Sequence, residues 1–286
     1  MYPTASARFP GLLRPTDDPP LMIVHVARIA LAPIIYAQAR RLRDTIPVLP
    51  EPAGSRSGVA GTGKPMRLLI AGDSSAIGVG APTQDEGLAV PLTRTLAARL
   101  DAAVHWQLIG KTGLTSEGVL QQLTHGEVQP ADIALVVLGA NDITTETSLR
   151  RALRHRSEIV SLLRDCAGVD HVVFPSVPEM QVFPALPHPL AWYAGLHASR
   201  NNRAQTRWAK QHRNVHHADI GGLASADLMG SDGYHPSPAL YALVAERLAD
   251  FILPLCAPVA AADAATALDE ASLAMEQEAD KLLSTT

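Results

Sequence analysis

From residue 66 onward the chain alternates two hydrophobic patterns, short continuous apolar runs and longer stretches of helical period. The runs at 67–71, 104–109, 133–138, 171–174 and 215–219 read as strands. The third is apolar throughout, as a strand covered on both faces is. Helices are expected over 87–100, 116–124, 148–166, 196–211 and 238–251, the last with Pro238 in its first turn. This alternation predicts a parallel sheet with helices on both faces. In open sheets of that kind, ligands bind beyond the carboxyl ends of the strands.

The first 65 residues follow another pattern. Residues 1–20 read as a Pro-rich arm, and 21–43 as a helix interrupted at Pro33 and ending in Arg40, Arg41 and Arg43. Cations suit a helix C-terminus. The apolar part, 21–37, is shorter than the roughly 20 residues of a membrane span and contains His25, Arg28 and Pro33. An arginine near the middle of a span costs about 2.5–3.5 kcal/mol. The expectation is a cytoplasmic chain whose helix packs on the protein's own surface or makes peripheral membrane contact through 21–43. Residues 37–39 resemble a signal-peptide cleavage site, but the preceding segment is long and carries Asp17 and Asp18, which weighs against secretion. Pro47, Pro50, Pro52, Gly54, Gly58, Gly61, Gly63 and Pro65 give 45–65 the composition of a linker. One folded domain is therefore expected at 66–255, followed by a tail at 256–286 with a surface helix over 260–283.

Composition narrows the function. A chain of 286 residues that is 47% hydrophobic holds one sizeable core more readily than two. The net charge is -4 and no basic run dominates an expected face, so the footprint of a nucleic-acid binder is missing. The two cysteines, Cys166 and Cys256, imply no disulfide framework, and neither C-x-x-C nor H-E-x-x-H spacing occurs. Residues 58–64 have the spacing of a phosphate-binding loop. Pro65 follows where Ser or Thr is required, however, and the segment precedes a strand instead of leaving one.

Polar residues stand where the strands end. The first strand ends in Gly72-Asp73-Ser74-Ser75, where a sharp exit exposes a serine hydroxyl at a helix approach. By itself such a serine is an ordinary helix cap. Gly110-Lys111-Thr112-Gly113-Leu114-Thr115-Ser116 follows the second strand, and either glycine could turn an N–H towards a ligand. The third strand ends in Gly139-Ala140-Asn141-Asp142, whose Asn141 amide could donate to a developing oxyanion or close an Asx turn. After the last strand comes Asp232-Gly233-Tyr234-His235-Pro236, in which a carboxylate can orient an imidazole three residues on. Together these supply a nucleophile, a base, an orienting acid and oxyanion donors on one sheet edge, the kit for acyl transfer.

The set resembles the blocks of the SGNH (GDSL-like) hydrolases, over roughly residues 66–252. Gly72-Asp73-Ser74 is similar to the nucleophile block and Gly113 to the oxyanion glycine. Gly139-Ala140-Asn141-Asp142 is similar to the G-x-N-D block, and Asp232-Gly233-Tyr234-His235-Pro236 to the D-x-x-H block. Ser75 stands where the family name suggests leucine. The resemblance implies a flavodoxin-like three-layer α/β/α fold with a five-stranded parallel sheet. It also implies a serine carboxylic-ester hydrolase with Ser74 as nucleophile, His235 as base and Asp232 as orienter. Ser74, Gly113 and Asn141 would form the oxyanion hole, and no metal or cofactor is called for. An acyltransferase or deacetylase, or a lysophospholipase or thioesterase, would use the same residues on a small-molecule ester, and a non-catalytic binding protein on the same scaffold would not require them all. The Pro-punctuated stretch after the fourth strand should overhang the site. Met180, Phe183 and Trp192 are expected there as the walls of a small acyl pocket that favours short chains.

Overall fold

Leu68, Leu69, Ile70 and Ala71 are all buried, and they alternate between two cores. Leu68 and Ile70 pack on one side of the sheet, Leu69 and Ala71 on the other, because successive strand side chains point to opposite faces. That double burial explains why the run carries no polar position. The computed structural model describes residues 21–256. The expected arm at 1–20 and the tail helix at 260–283 lie outside the described residues.

The chain begins in α1 (Leu21–Thr45), followed by β1 (Ser57–Ala60) and β2 (Lys64–Gly72). Then come α2 (Ser74–Ile77), α3 (Ala89–Leu100), β3 (Ala102–Gly110), α4 (Ser116–His125), β4 (Ile133–Val137) and α5 (Ala140–Thr144). The chain continues through α6 (Leu149–Ala167), β5 (His171–Pro175), α7 (Leu190–Ala209), β6 (Val215–Ala218) and α8 (Pro238–Ile252). The sheet order is β1-β3-β2-β4-β5-β6. The last five strands are parallel, and among themselves they follow the flavodoxin-like order with its switch point at β2. Leu92 and Leu96 of α3 and Ala245 and Leu248 of α8 cover one face. Val119 of α4, Ile159 and Leu163 of α6 and Trp208 of α7 cover the other. The expected three-layer architecture is therefore present.

One expectation is corrected. The stretch read as a linker contains a sixth strand, β1, which pairs antiparallel with β3 from Ser57↔Gln107 to Ala60↔Val104. It also contains the start of β2. Side chains then tie this stretch to the domain. Arg56 donates to the Gly110 carbonyl at 2.8 Å and pairs with Glu51, and Glu51 Oε1 accepts from the Thr112 N–H and hydroxyl at 3.3 Å each. Proline and glycine content signalled irregular backbone there, but not that the backbone is held.

Helix α1 lies on the protein. Ile35 is buried among Met180, Leu190 and Ala194, with Leu31, Ala39 and Leu42 packed around it. Gln38 fixes the contact, donating to the His188 carbonyl at 2.7 Å and accepting from the Leu190 N–H at 3.1 Å. Among the described residues, no helix is long and apolar enough to cross a membrane.

Candidate active site

The exit from β2 admits only glycine at its last position. Gly72 has φ +154, and a Cβ there would stand 1.9 Å from the Val137 carbonyl oxygen. The Asp73 N–H donates to that same oxygen at 3.1 Å, so the chain turns tightly against β4 and enters α2 at once. Asp73 caps α2 by accepting from the Ser75 N–H at 3.0 Å. The cap is thus Asp73, which leaves the Ser74 hydroxyl available. Ser75 faces a separate small cavity lined by Leu88, Val137 and Tyr241.

Three side chains expected to cooperate come together. His235 Nε2 lies 3.2 Å from Ser74 Oγ, and His235 Nδ1 lies 2.6 Å from Asp232 Oδ2. The other oxygen of Asp232 accepts from the backbone N–H groups of Tyr234 and His235 at 2.9 and 3.0 Å. Burial works to raise the Asp232 carboxyl, but the His235 ring and these N–H donors outweigh it and hold the group below its ordinary range. The carboxylate stays ionised beside the imidazole, as an orienting group must. Tyr234 stacks edge-on against His235 and against Phe183, with ring centroids 5.3 and 5.6 Å away.

The two oxyanion candidates line the same cleft as the serine. Gly113 has φ +83 with nothing within 4 Å of a would-be Cβ, so backbone conformation and not crowding selects glycine there. It lines the same cleft as Ser74, Asn141 and His235. Gly110, its competitor, is the last residue of β3, pressed against Gly72. The Asn141 amide donates to the Leu114 carbonyl at 3.0 Å and to Asp73 at 3.3 Å. Burial, aided by the charge of Asp142, pushes the Asp73 carboxyl up to about 7 against the pull of the backbone donors.

That shift has a sign that can be measured. The folded state binds the Asp73 proton more tightly than an unfolded chain, whose carboxyl titrates near 3.8. The stabilisation is complete below about pH 4 and is lost as pH rises through about 7. Urea unfolding of the parent and of Asp73→Asn at several pH values from 4 to 8 is expected to show the parent losing stability relative to the variant as pH rises. A constant difference between the two across that range would contradict it.

The pocket expectation is partly corrected. Met180 lines the cleft, but Phe183 is buried against Tyr234 and Leu186, and Trp192 does not line the cleft. On α7, Leu190, Tyr193 and Ala194 face the cleft, and Trp192 falls off that stripe. A wall that local spacing did not reveal comes from α1 and residues 46–49.

The sequence reading also missed Arg156, which is fully buried on α6. It donates to Asp142 at 3.3 Å and to Asn201 at 3.1 Å, and it also contacts Gln205. Asp142 in turn accepts from the Ser116 N–H at 2.9 Å. This network locks the turn that carries Asn141 onto α4, α6 and α7. A signal existed: Ala152, Arg156, Ile159 and Leu163 form one buried stripe of α6, and an arginine on such a stripe requires a buried partner.

Residues 70–243 match the GDSL-like Lipase/Acylhydrolase family. The chain belongs to that family. A GDSL-like esterase of Mycobacterium tuberculosis is 34% identical over 192 residues, which cover 64% of this chain and 60% of that protein. The chain thus matches less than two thirds of that relative's length. Among solved structures, a lipase from a goat rumen metagenome is 18% identical with a TM-score of 0.51, covering 64% of this chain and 95% of its own. A carbohydrate acetylesterase from Sinorhizobium meliloti is also 18% identical with a TM-score of 0.51, covering 66% and 99%. These likenesses concern the fold. The GDSL match spans β2 to α8 and so includes every strand-end block described above.

Proposed function

We propose that the protein is a serine carboxylic-ester hydrolase working through an acyl-enzyme. The observation that carries this reading is the continuous line from Asp232 through His235 to the Ser74 hydroxyl, at 2.6 and 3.2 Å, at the floor of an open cleft. As Ser74 Oγ attacks the ester carbonyl, its proton passes to His235 Nε2, and Asp232 stabilises the imidazolium. His235 then gives the proton to the leaving alcohol. Water attacks the acyl-enzyme by the same route, and the acid departs. Transfer of the acyl group to an alcohol differs only in the acceptor.

The carbonyl oxygen that turns negative sits between the backbone at Ser74 and Gly113 and the Asn141 amide in this reading. Asn141 must release one of its present acceptors to donate there, and the longer bond, to Asp73, is the one to yield. A protonated Asp73 accepts more weakly than a carboxylate, so its raised pKa favours the exchange. Asn141→Ala is expected to lower kcat by roughly 10²–10³-fold with little change in KM. A change confined to KM would mean that Asn141 binds substrate and does not act on the transition state.

A fluorophosphonate tests the reading directly. It should label Ser74 and no other serine. Labelling at Ser75, or none in folded protein, would overturn it.

A further inference from the structure

The cleft above Ser74 is far larger than a small acyl group needs, with a volume of about 840 Å³. Pockets of roughly 300–1,000 Å³ enclose whole drug-sized ligands. Its far wall is a single stripe of α1: Ala32, Ile35, Ala39, Leu42 and, just past the helix end, Ile46. Spacings of three and four put these residues on one helical face. Leu190 and Ala194 of α7, which cluster with Ile35, continue the apolar lining beside it. Among the described residues, neither of these two walls lines the cleft with a charged side chain, Tyr36 and Tyr193 being their polar members, and the rest of the polar lining includes Thr112, Asn141, Thr144, Thr145, Glu146 and His235. A sugar or a charged headgroup would find few partners along the α1 stripe, whereas a hydrocarbon loses nothing there. The slot is also held in shape, because Ile35 is buried and Gln38 bonds α1 to the start of α7.

Resting on the esterase reading above, we propose that this slot binds the acyl chain of the substrate. The substrate class is then esters of unbranched acyl chains of about eight or more carbons, and Ile35, Ala39, Leu42 and Ile46 set the chain length. The polar end of the cleft takes the ester group, and the acyl carbons run from Ser74 along α1. The acyl half is the one that must stay while the alcohol leaves, so a wall that grips it serves both steps of the reaction.

Each methylene that enters such a wall favours the transition state by up to about fourfold. The test is kcat/KM for p-nitrophenyl esters from acetyl to decanoyl, kept below their aggregation limit, with fluorophosphonate labelling of Ser74 in parallel. The parent is expected to favour octanoyl over acetyl by at least about tenfold. Ala39→Trp and Ile46→Trp, on different stretches of the wall, should each lower that octanoyl-to-acetyl ratio by about tenfold. Ethyl decanoate should be cleaved faster than decyl acetate. A parent that labels at Ser74 yet prefers acetyl overturns the slot and leaves the esterase reading standing. So does an unchanged ratio in either folded variant, or a preference for decyl acetate. A parent that neither labels nor cleaves any ester overturns both.

Discussion

Ser74→Ala is expected to lower kcat for ester hydrolysis by about 10⁴–10⁶-fold, the range seen when a triad nucleophile is removed, with no loss of thermal stability. The hydroxyl contacts His235 at 3.2 Å, whereas the helix behind it is capped by Asp73, which the substitution leaves in place. Residual turnover should come from whatever oxyanion donors and substrate binding remain. The measurement is steady-state kinetics on a well-folded variant, with fluorophosphonate labelling as the companion readout. Activity within tenfold of the parent would remove Ser74 from the nucleophile role. Ser75 is a poor substitute, because it opens into a different cavity.

The second large effect concerns stability. Arg156→Met is expected to destabilise the fold by about 3–5 kcal/mol, because it leaves Asp142 buried without its cation. For a domain of this size that corresponds to a fall in Tm on the order of 10 °C. Burial already pulls the Arg156 guanidinium below its ordinary range while Asp142 opposes the shift, so the two charges are held by each other. The double variant Arg156→Met with Asp142→Asn should recover part of the loss, since no lone charge then stays inside. Calorimetry on the two single variants and the double gives the coupling. Additive losses would show that the pair does not act as a unit. Kinetics of the milder Asn201→Ala would show whether the network also holds the Asn141 turn in register.

The physical reason that so much of the site was legible is local. Ser74, Gly113 and Asn141 each sit within four residues of a strand end, so the run that announces the strand also announces its end, whereas His235 lies far beyond β6 and is marked by the D-x-x-H block just ahead of α8. A parallel sheet then gathers those ends on one edge whatever the details of packing. The resemblance to the SGNH blocks chose between Gly110 and Gly113, and the cleft has Gly113.

The remainder depended on contacts between distant parts of the chain. Periodicity says which residues of a helix are buried but not against what. The apolar run at 21–37 pointed to a helix packed on the protein or on a membrane, without revealing that Ile35, Ala39 and Leu42 line the cleft. The position of the Pro-punctuated stretch after the fourth strand put Phe183 near the site, but only packing decided that the ring supports Tyr234 while Met180 faces the cleft. β1 is four residues in a Gly-rich stretch, and its strand character comes from pairing with β3. By itself the sequence determined the alternating fold and the polar blocks of the candidate site, because both are written in consecutive residues. The tertiary structure decided the edge strand, the Arg156 network and the shape of the cleft, because each joins segments whose meeting no local pattern encodes.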